Sequence, residues 1–308
     1  MYRETVPTFA RFGRLRAAVL PFALLSIGLA YAPAWKDPSK HIERFIQTGS
    51  GVKLEVLDWG GRGQPVLLLA GHGDTGHIFD DFAPDLTSSF HVLAITRRGF
   101  GASSQPKQGY DLTTMVRDIA RVSDALHLKQ VDLVAHSIAG DEVTRFALTY
   151  PDRVRKLVYL EAAYDRVDEQ RLESKFPKIP PAPSEDRESG SPAAIRALIA
   201  RTEILMPEAE IRATRIFGAN GQLVRPVTPE PILHAVAAMV DHPNYRSISA
   251  PILAIYAVYE TPGTAHCSVQ HRRSGDSTGT RPSLRDVAAI CKKPTSLSSK
   301  ERASSPYS

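Results

Sequence analysis

The residues of this sequence with the most chemical content are Ala135-His136-Ser137-Ile138-Ala139-Gly140. The run before them, Val131–Ala135, is short and apolar, as a buried strand is. The residues from Ile138 to Phe146 carry helical spacing and stop before Pro151. A serine at a strand-to-helix turn has its hydroxyl pushed out at the sheet edge. The residues two before and two after it must be small, because the turn is tight. Here both are alanine, Ala135 and Ala139. The helix that follows aims free N–H groups and the positive end of its dipole at the serine oxygen. That arrangement suits a nucleophile attacking a carbonyl. The alternative meaning is a serine that merely caps a helix. The small-x-Ser-x-small string is weak alone and gains its force from the strand and helix around it.

A second segment fits the same chemistry. Gly71-His72-Gly73-Asp74 follows an apolar run ending at Ala70. Glycines there let backbone N–H groups turn toward a developing oxyanion. The expected donors are the N–H groups of His72 and Ile138. The side chains of His72, inside a glycine turn, and of His136, beside the serine, read as packing and hydrogen-bonding groups rather than as bases.

These groups need a scaffold, and the sequence between Trp35 and Glu260 supplies one. Ile42–Gln47 and Val52–Asp58 read as a hairpin around Gly51. Pro65–Ala70, His91–Ile95, Val131–Ala135 and Leu157–Leu160 read as strands buried on both faces. Phe79–Leu86 reads as a helix. Another runs from an Asp111 N-cap to Leu128, with Leu112, Met115, Val116, Ile119, Val122 and Leu126 at helical spacing. Strands alternating with helices across short connections predict an α/β class: a mostly parallel sheet with helices on both faces. Ligands on such sheets sit at the carboxyl ends of the strands. Residues 165–249 break the alternation. They hold helical stretches near Ala193–Met206, Glu208–Phe217 and Pro231–Val240, and a stiff Lys178–Ser184 piece. Pro251–Val258 then returns as a strand, so the insertion reads as a helical lid.

Together these pieces resemble the alpha/beta-hydrolase fold of the lipase, esterase and proline-iminopeptidase-like group. The matching segments are Leu68–Asp74, Arg97-Arg98-Gly99-Phe100-Gly101-Ala102-Ser103, His136–Gly140 and Tyr150-Pro151-Asp152-Arg153-Val154. The resemblance covers about Ile42 to Val258. It implies a catalytic triad in the chain order Ser, acid, His, with Ser137 as nucleophile and the lid as the family's cap domain. It implies an acid after the strand that follows the cap, which puts it at Glu260. Glu161 and Asp165, beyond the preceding strand, are alternative acids. The histidine that the family places beyond a further helix and strand has only His266 and His271 to represent it. Pro262-Gly263-Thr264-Ala265-His266 is similar to the family's Gly-x-x-His turn, with no room for the missing helix and strand. The expectation is therefore a fold whose C-terminal part is truncated or replaced. An open sheet edge and reduced stability would follow.

The two ends differ from this body. Residues 1–34 carry a basic start at Arg3, Arg11, Arg14 and Arg16, then an uncharged, mostly apolar run from Ala17 to Ala34. Ala32-Pro33-Ala34 fits a small-x-small cleavage site. The segment reads as a signal peptide, or as a membrane anchor if it is uncleaved. The protein is then exported, periplasmic or secreted, or anchored. Residues 35–164 are the N-terminal part of the core, 165–249 the cap, and 250–260 the last recognisable core strand. Residues 261–308 form a basic, Ser/Thr-rich tail expected to be disordered. Both cysteines, Cys267 and Cys291, lie in that tail. Two cysteines exclude a disulfide-dense scaffold and four-cysteine zinc patterns.

The formal charge of +5 could suggest a polyanion partner. Its location argues otherwise. Residues 1–34 hold four Arg against one Glu, and residues 261–308 hold eight Lys and Arg against three Asp and Glu, so the body between carries −3. No nucleic-acid partner is expected, no metal or organic cofactor is implied, and membrane association would come only through the N-terminal segment. The expected function is a serine hydrolase cleaving an ester or amide bond of a small or lipid-like substrate. Its alternative is a catalytically impaired or non-catalytic hydrolase-like protein, a binding module or remnant. A lyase or haloperoxidase on the same scaffold is a third reading, because one fold hosts many chemistries.

Overall fold

The structure is a computed structural model. It describes residues 35–49, 51–167, 189–201, 205–261 and 264–272, and from residue 257 onward it describes the backbone. The expected 1–34 segment, the Lys178–Ser184 piece and Cys291 lie outside the described residues. Met1–Asp37 and Pro38–Ser308 are two compact units, and the sheet with its helices and cap belongs to the second.

Strands β1 (Ile42–Gly49) and β2 (Val52–Gly60) form the expected antiparallel hairpin. Gly51 at its turn has φ +75°, a left-handed backbone that glycine adopts without steric cost. Strands β3 (Gln64–Leu69), β4 (Phe90–Ile95), β5 (Val131–His136) and β6 (Val154–Leu160) follow. With β9 (Ile252–Thr261) and β10 (Thr264–Arg272) they complete an eight-stranded sheet of order β1-β2-β4-β3-β5-β6-β9-β10. The five strands β4, β3, β5, β6 and β9 are mutually parallel.

Alternation along the apolar runs explains the layers. Val66, Leu68, Val92, Ala94 and Val134 point to one face and pack with Phe79 and Ala83. Leu67, Leu69, Leu93, Ile95 and Leu133 point to the other. There they meet Val116 and Ile119 of α2 (Leu112–Ala125) and Val143 and Phe146 of α3 (Ala139–Thr149). Each fully buried aliphatic side chain contributes roughly 1.5–3 kcal/mol. Asp111 caps α2 as expected, its carboxylate accepting from Thr114 N at 2.9 Å. A buried, bidentate Arg98–Asp118 pair, at 2.6 and 2.8 Å, ties the turn after β4 to α2.

Several expectations are corrected. Phe79–Leu86 is not one helix but a 3-10 turn, Gly76–Phe79, and a single helical turn α1 (Ala83–Leu86). Pro84 in that first turn has no N–H to extend a ladder from the preceding residues. Within the insertion, α4 (Pro192–Ala200), α5 (Glu208–Thr214) and α6 (Glu230–Ala237) stand where helices were expected. The helix expected to reach Phe217 stops at Thr214, because Arg215–Phe217 forms β7 and pairs with β8 (Leu223–Pro226). Val236 and Met239 of the insertion pack on Phe100, Met115 and Ile138, which seats the cap over the Ser137 turn.

The tail expected to be irregular from residue 261 begins instead with β10, antiparallel to β9, with His266 opposite Val258 and Arg272 opposite Ile252. The open edge of β9 presents unpaired N–H and C=O groups, and the chain folds back to satisfy them. Ala265, Cys267 and Val269 supply a period-two pattern too short to outweigh the polar composition around it. The edge expected to stand open at β9 is covered, and the end of the sheet moves to β10. Among the described residues no helix is long and apolar enough to cross a membrane.

Candidate active site

Ser137 follows the last residue of β5 and precedes α3, with φ +53°. A non-glycine residue held in the left-handed region costs of order 1–3 kcal/mol and persists only where its surroundings impose it. The surroundings are specific. Ser137 N donates to Leu160 O at 3.1 Å, and Gly140 N donates to Ser137 O at 2.9 Å. A Cβ on Gly140 would lie 2.1 Å from Ala162 O, so only glycine lets α3 approach the segment just after β6 this closely. Ala135 and Ala139 are fully buried in the core, and neither has a positive φ. Alanine therefore serves where glycine is usual, because the sites demand smallness and not a left-handed backbone.

The segment after β3 is held from below by a residue that sequence reasoning used only as part of a motif. Arg97 Nη1 donates to Gly71 O at 2.7 Å, and its Nη2 to Ala70 O at 2.8 Å. The same guanidinium donates twice to Glu142 Oε1 of α3, at 3.0 and 2.8 Å. Both partners are buried. One side chain thus couples the Gly71–Asp74 loop to the helix that carries the serine. Among the described residues, the backbone N–H groups of His72 and Ile138 have no hydrogen-bond partner, and neither does Ser137 Oγ.

Acidic and basic side chains surround the loop. A Cβ on Gly71 would lie 2.8 Å from His136 Nδ1 and 3.1 Å from Asp74 Oδ2, so both pack directly on that glycine. Burial pushes the Asp74 carboxyl above its ordinary value, against the lowering influence of His136, Arg97, Arg215 and His72. The His72 ring turns away toward the cap, with Nε2 2.9 Å from Leu233 O. Glu210 of α5 reaches down to the loop and accepts from Thr75 N at 3.0 Å and from Thr75 Oγ1 at 2.5 Å. Burial raises its pKa to about 7, opposed by the Thr75 hydrogen bonds and aided by the Asp74 charge.

That shift has a definite sign. Glu210 is protonated more readily folded than unfolded. Its stabilising contribution is complete below pH about 4.5 and is lost as pH rises through about 7. The change amounts to about 3 kcal/mol across that window. Chemical denaturation of wild type and Glu210→Gln at pH 5 and pH 8 should show wild type losing more stability on going to pH 8. Parallel pH profiles for the two proteins would refute the assignment.

The sequence-derived acids and histidines fall in different places. Glu161 stands at the carboxyl end of β6 with φ +49°, its N–H donating to Ile255 O at 2.9 Å and its carboxylate accepting from Tyr164 OH at 2.6 Å. It is one residue beyond Leu160, which pairs with His136, so it lies level with the serine turn. Asp165 pairs with His242 at 3.1 Å. That acid–histidine pair had no motif to announce it. Glu260 and His266 lie in β9 and β10, where a loop was expected. Ile255 pairs with Leu160, Glu260 lies five residues further along β9, and His266 faces Val258. At about 3.3 Å per residue, the register carries Glu260 roughly 16 Å and His266 roughly 10 Å past the sheet edge. The described backbone does not bring these two to Ser137.

The overall fold is matched by known proteins. A family model described as alpha/beta hydrolase fold matches residues 64–184. This chain is an alpha/beta-hydrolase-fold protein. The matched residues include the Gly71–Asp74 loop and the Ser137 turn. Within this fold, a non-heme chloroperoxidase of Streptomyces lividans is 35% identical over 120 residues, 38% of this chain and 44% of that protein. A serine hydrolase-like protein of Homo sapiens is 34% identical over 119 residues, 38% of this chain and 59% of that protein. A bifunctional esterase/perhydrolase of Acinetobacter calcoaceticus is 33% identical over 123 residues, 38% of this chain and 44% of that protein. The chain thus spans about half the length of these curated relatives. The crystal structure of E-2-(acetamidomethylene)succinate hydrolase superposes with a TM-score of 0.56 at 23% identity, over 70% of this chain and 80% of that one, a likeness of fold.

Proposed function

We propose that this alpha/beta-hydrolase-fold protein is a serine hydrolase that cleaves an ester or amide bond of a small or lipid-like substrate. The observation that carries the reading is Ser137 at φ +53° on a strand-to-helix turn, with the unengaged N–H groups of His72 and Ile138 nearby in the fold. Ser137 Oγ attacks the carbonyl carbon as its proton passes to a base, and the two N–H groups receive the oxyanion. The intermediate collapses, the alcohol or amine leaves with a proton, and water hydrolyses the acyl-serine to regenerate the hydroxyl. Related chains named as an esterase and as serine hydrolase-like proteins support this reading.

For the base, the family resemblance points to His266 with Glu260, while the His242–Asp165 contact at 3.1 Å offers a second histidine–acid pair. Glu161, level with the serine turn, is the acid best placed along the strands. A second reading draws on the register that carries Glu260 and His266 past the sheet edge. On that reading the chain binds ligands under its cap without turning them over. We also propose that residues 1–34 direct export, and that membrane association, if any, comes through them.

The two readings separate in a pre-steady-state assay with p-nitrophenyl acetate and longer p-nitrophenyl esters. The hydrolase reading expects a burst of nitrophenolate equal to the enzyme concentration, followed by turnover. Binding of the esters with no release above the buffer rate would sink the hydrolase reading and favour the binding module.

A further inference from the structure

A second group of ionisable side chains lies on the strand β1–β2 side of the sheet and takes no part in the serine chemistry. His41 immediately precedes β1, Glu55 lies on β2, His77 lies in the 3-10 turn Gly76–Phe79, and Asp80 follows that turn. All four side chains are largely buried, Asp80 and Glu55 to 2% exposure. Asp80 faces both imidazoles, with Oδ1 2.9 Å from His41 Nδ1 and Oδ2 3.0 Å from His77 Nδ1. On the far side of the His77 ring, Glu55 Oε1 lies 3.8 Å from Nε2. The two rings meet edge to face with centroids 5.1 Å apart.

We propose that His41, His77 and Asp80 form a structural binding site for a divalent transition-metal ion of the zinc class. The donor set supports this first. Two imidazole nitrogens and a carboxylate are ligands that zinc accepts, at about 2.0–2.2 Å each. One ligand atom from each of the three residues lies within 4.8 Å of the others, so small side-chain shifts would bring them to the roughly 3.3 Å that separates ligand atoms sharing a tetrahedral ion.

Glu55 supports it independently. A metal-bound histidine characteristically donates its other ring N–H to a carboxylate, which fixes the tautomer and ring orientation. Glu55 stands on the Nε2 side of His77, opposite the nitrogen that faces Asp80. Its second oxygen, Oε2, is buried without a hydrogen-bond partner among the described residues. A buried, unsatisfied carboxylate oxygen is costly unless charge nearby compensates it.

The ion would pin the start of β1 to the turn that follows the Gly71–Asp74 loop. It is a fold-holding site and does not depend on the serine chemistry.

Titration of the full chain with Co2+, followed by its visible ligand-field bands, tests the proposal. The expected result is intense bands of a four- or five-coordinate ion, saturating at one ion per chain and bleached by one equivalent of Zn2+. Zn2+ should also raise the melting temperature. Glu55→Gln should weaken binding by about 10–100-fold, and His41→Gln or Asp80→Asn should abolish the bands while circular dichroism confirms the fold. Only weak bands of an octahedral ion in the wild type would overturn the proposal, as would unchanged affinity in folded His41→Gln. If a variant does not fold, the wild-type titration decides alone by the presence or absence of the stoichiometric bands.

Discussion

Replacing Ser137 by alanine should lower ester turnover by about 10⁶-fold, to the level that binding and the oxyanion donors provide by themselves. The loss should fall on kcat, because the hydroxyl forms and breaks the covalent bond while the cap still holds the substrate. The fold should survive. Ser137 Oγ makes no hydrogen bond among the described residues, and the turn is maintained by backbone bonds to Leu160 and from Gly140. Alanine at φ +53° carries the same left-handed strain as serine. The measurement is steady-state hydrolysis of a p-nitrophenyl ester by both proteins, with thermal unfolding as a control. Retention of more than about one part in a thousand of wild-type kcat would place the nucleophile elsewhere.

Arg97→Met should cost about 3–5 kcal/mol of stability, because it leaves Glu142 buried and unpaired. The Glu142 side chain is 2% exposed and receives two bonds from Arg97. The substitution also releases the carbonyls of Ala70 and Gly71, so the loop carrying the His72 N–H loses its support. Chemical denaturation should show a lower midpoint with an unchanged m-value, and the remaining folded protein should show reduced kcat. The double variant Arg97→Met/Glu142→Leu should regain much of the stability but not the activity, because the loop remains unsupported. A single variant as stable as wild type would show that the pair contributes little. Equal recovery of activity in the double variant would show that Arg97 does not position the loop.

Much of this fold is legible in the sequence because its strands are continuous apolar runs. Pro65–Ala70 and Val131–Ala135 are short enough, and apolar enough, to read as strands covered on both faces, and Leu67 and Leu68 do go to opposite layers. The Ser137 turn is legible for a local reason, since a strand, a small-x-Ser-x-small string and a helix are consecutive in sequence. The supports of that turn are not. Arg97 and Glu142 lie 45 residues apart, and Glu210 meets Thr75 across 135. No periodicity marks a pair brought together only by the sheet order. Strand β10 is hidden by a different effect. Its pattern is weak, and its pairing comes from the edge that β9 offers. The His41–His77–Asp80 group lacks a motif for the same reason as Arg97: its members come from separate segments of the chain.

Ser137 as an activated nucleophile is tested by incubating the wild-type chain with a fluorophosphonate, followed by intact mass and peptide mapping. The expected result is a single adduct on the peptide containing Ser137, absent from Ser137→Ala. No adduct on the folded wild type, or an adduct that persists in Ser137→Ala, would contradict it.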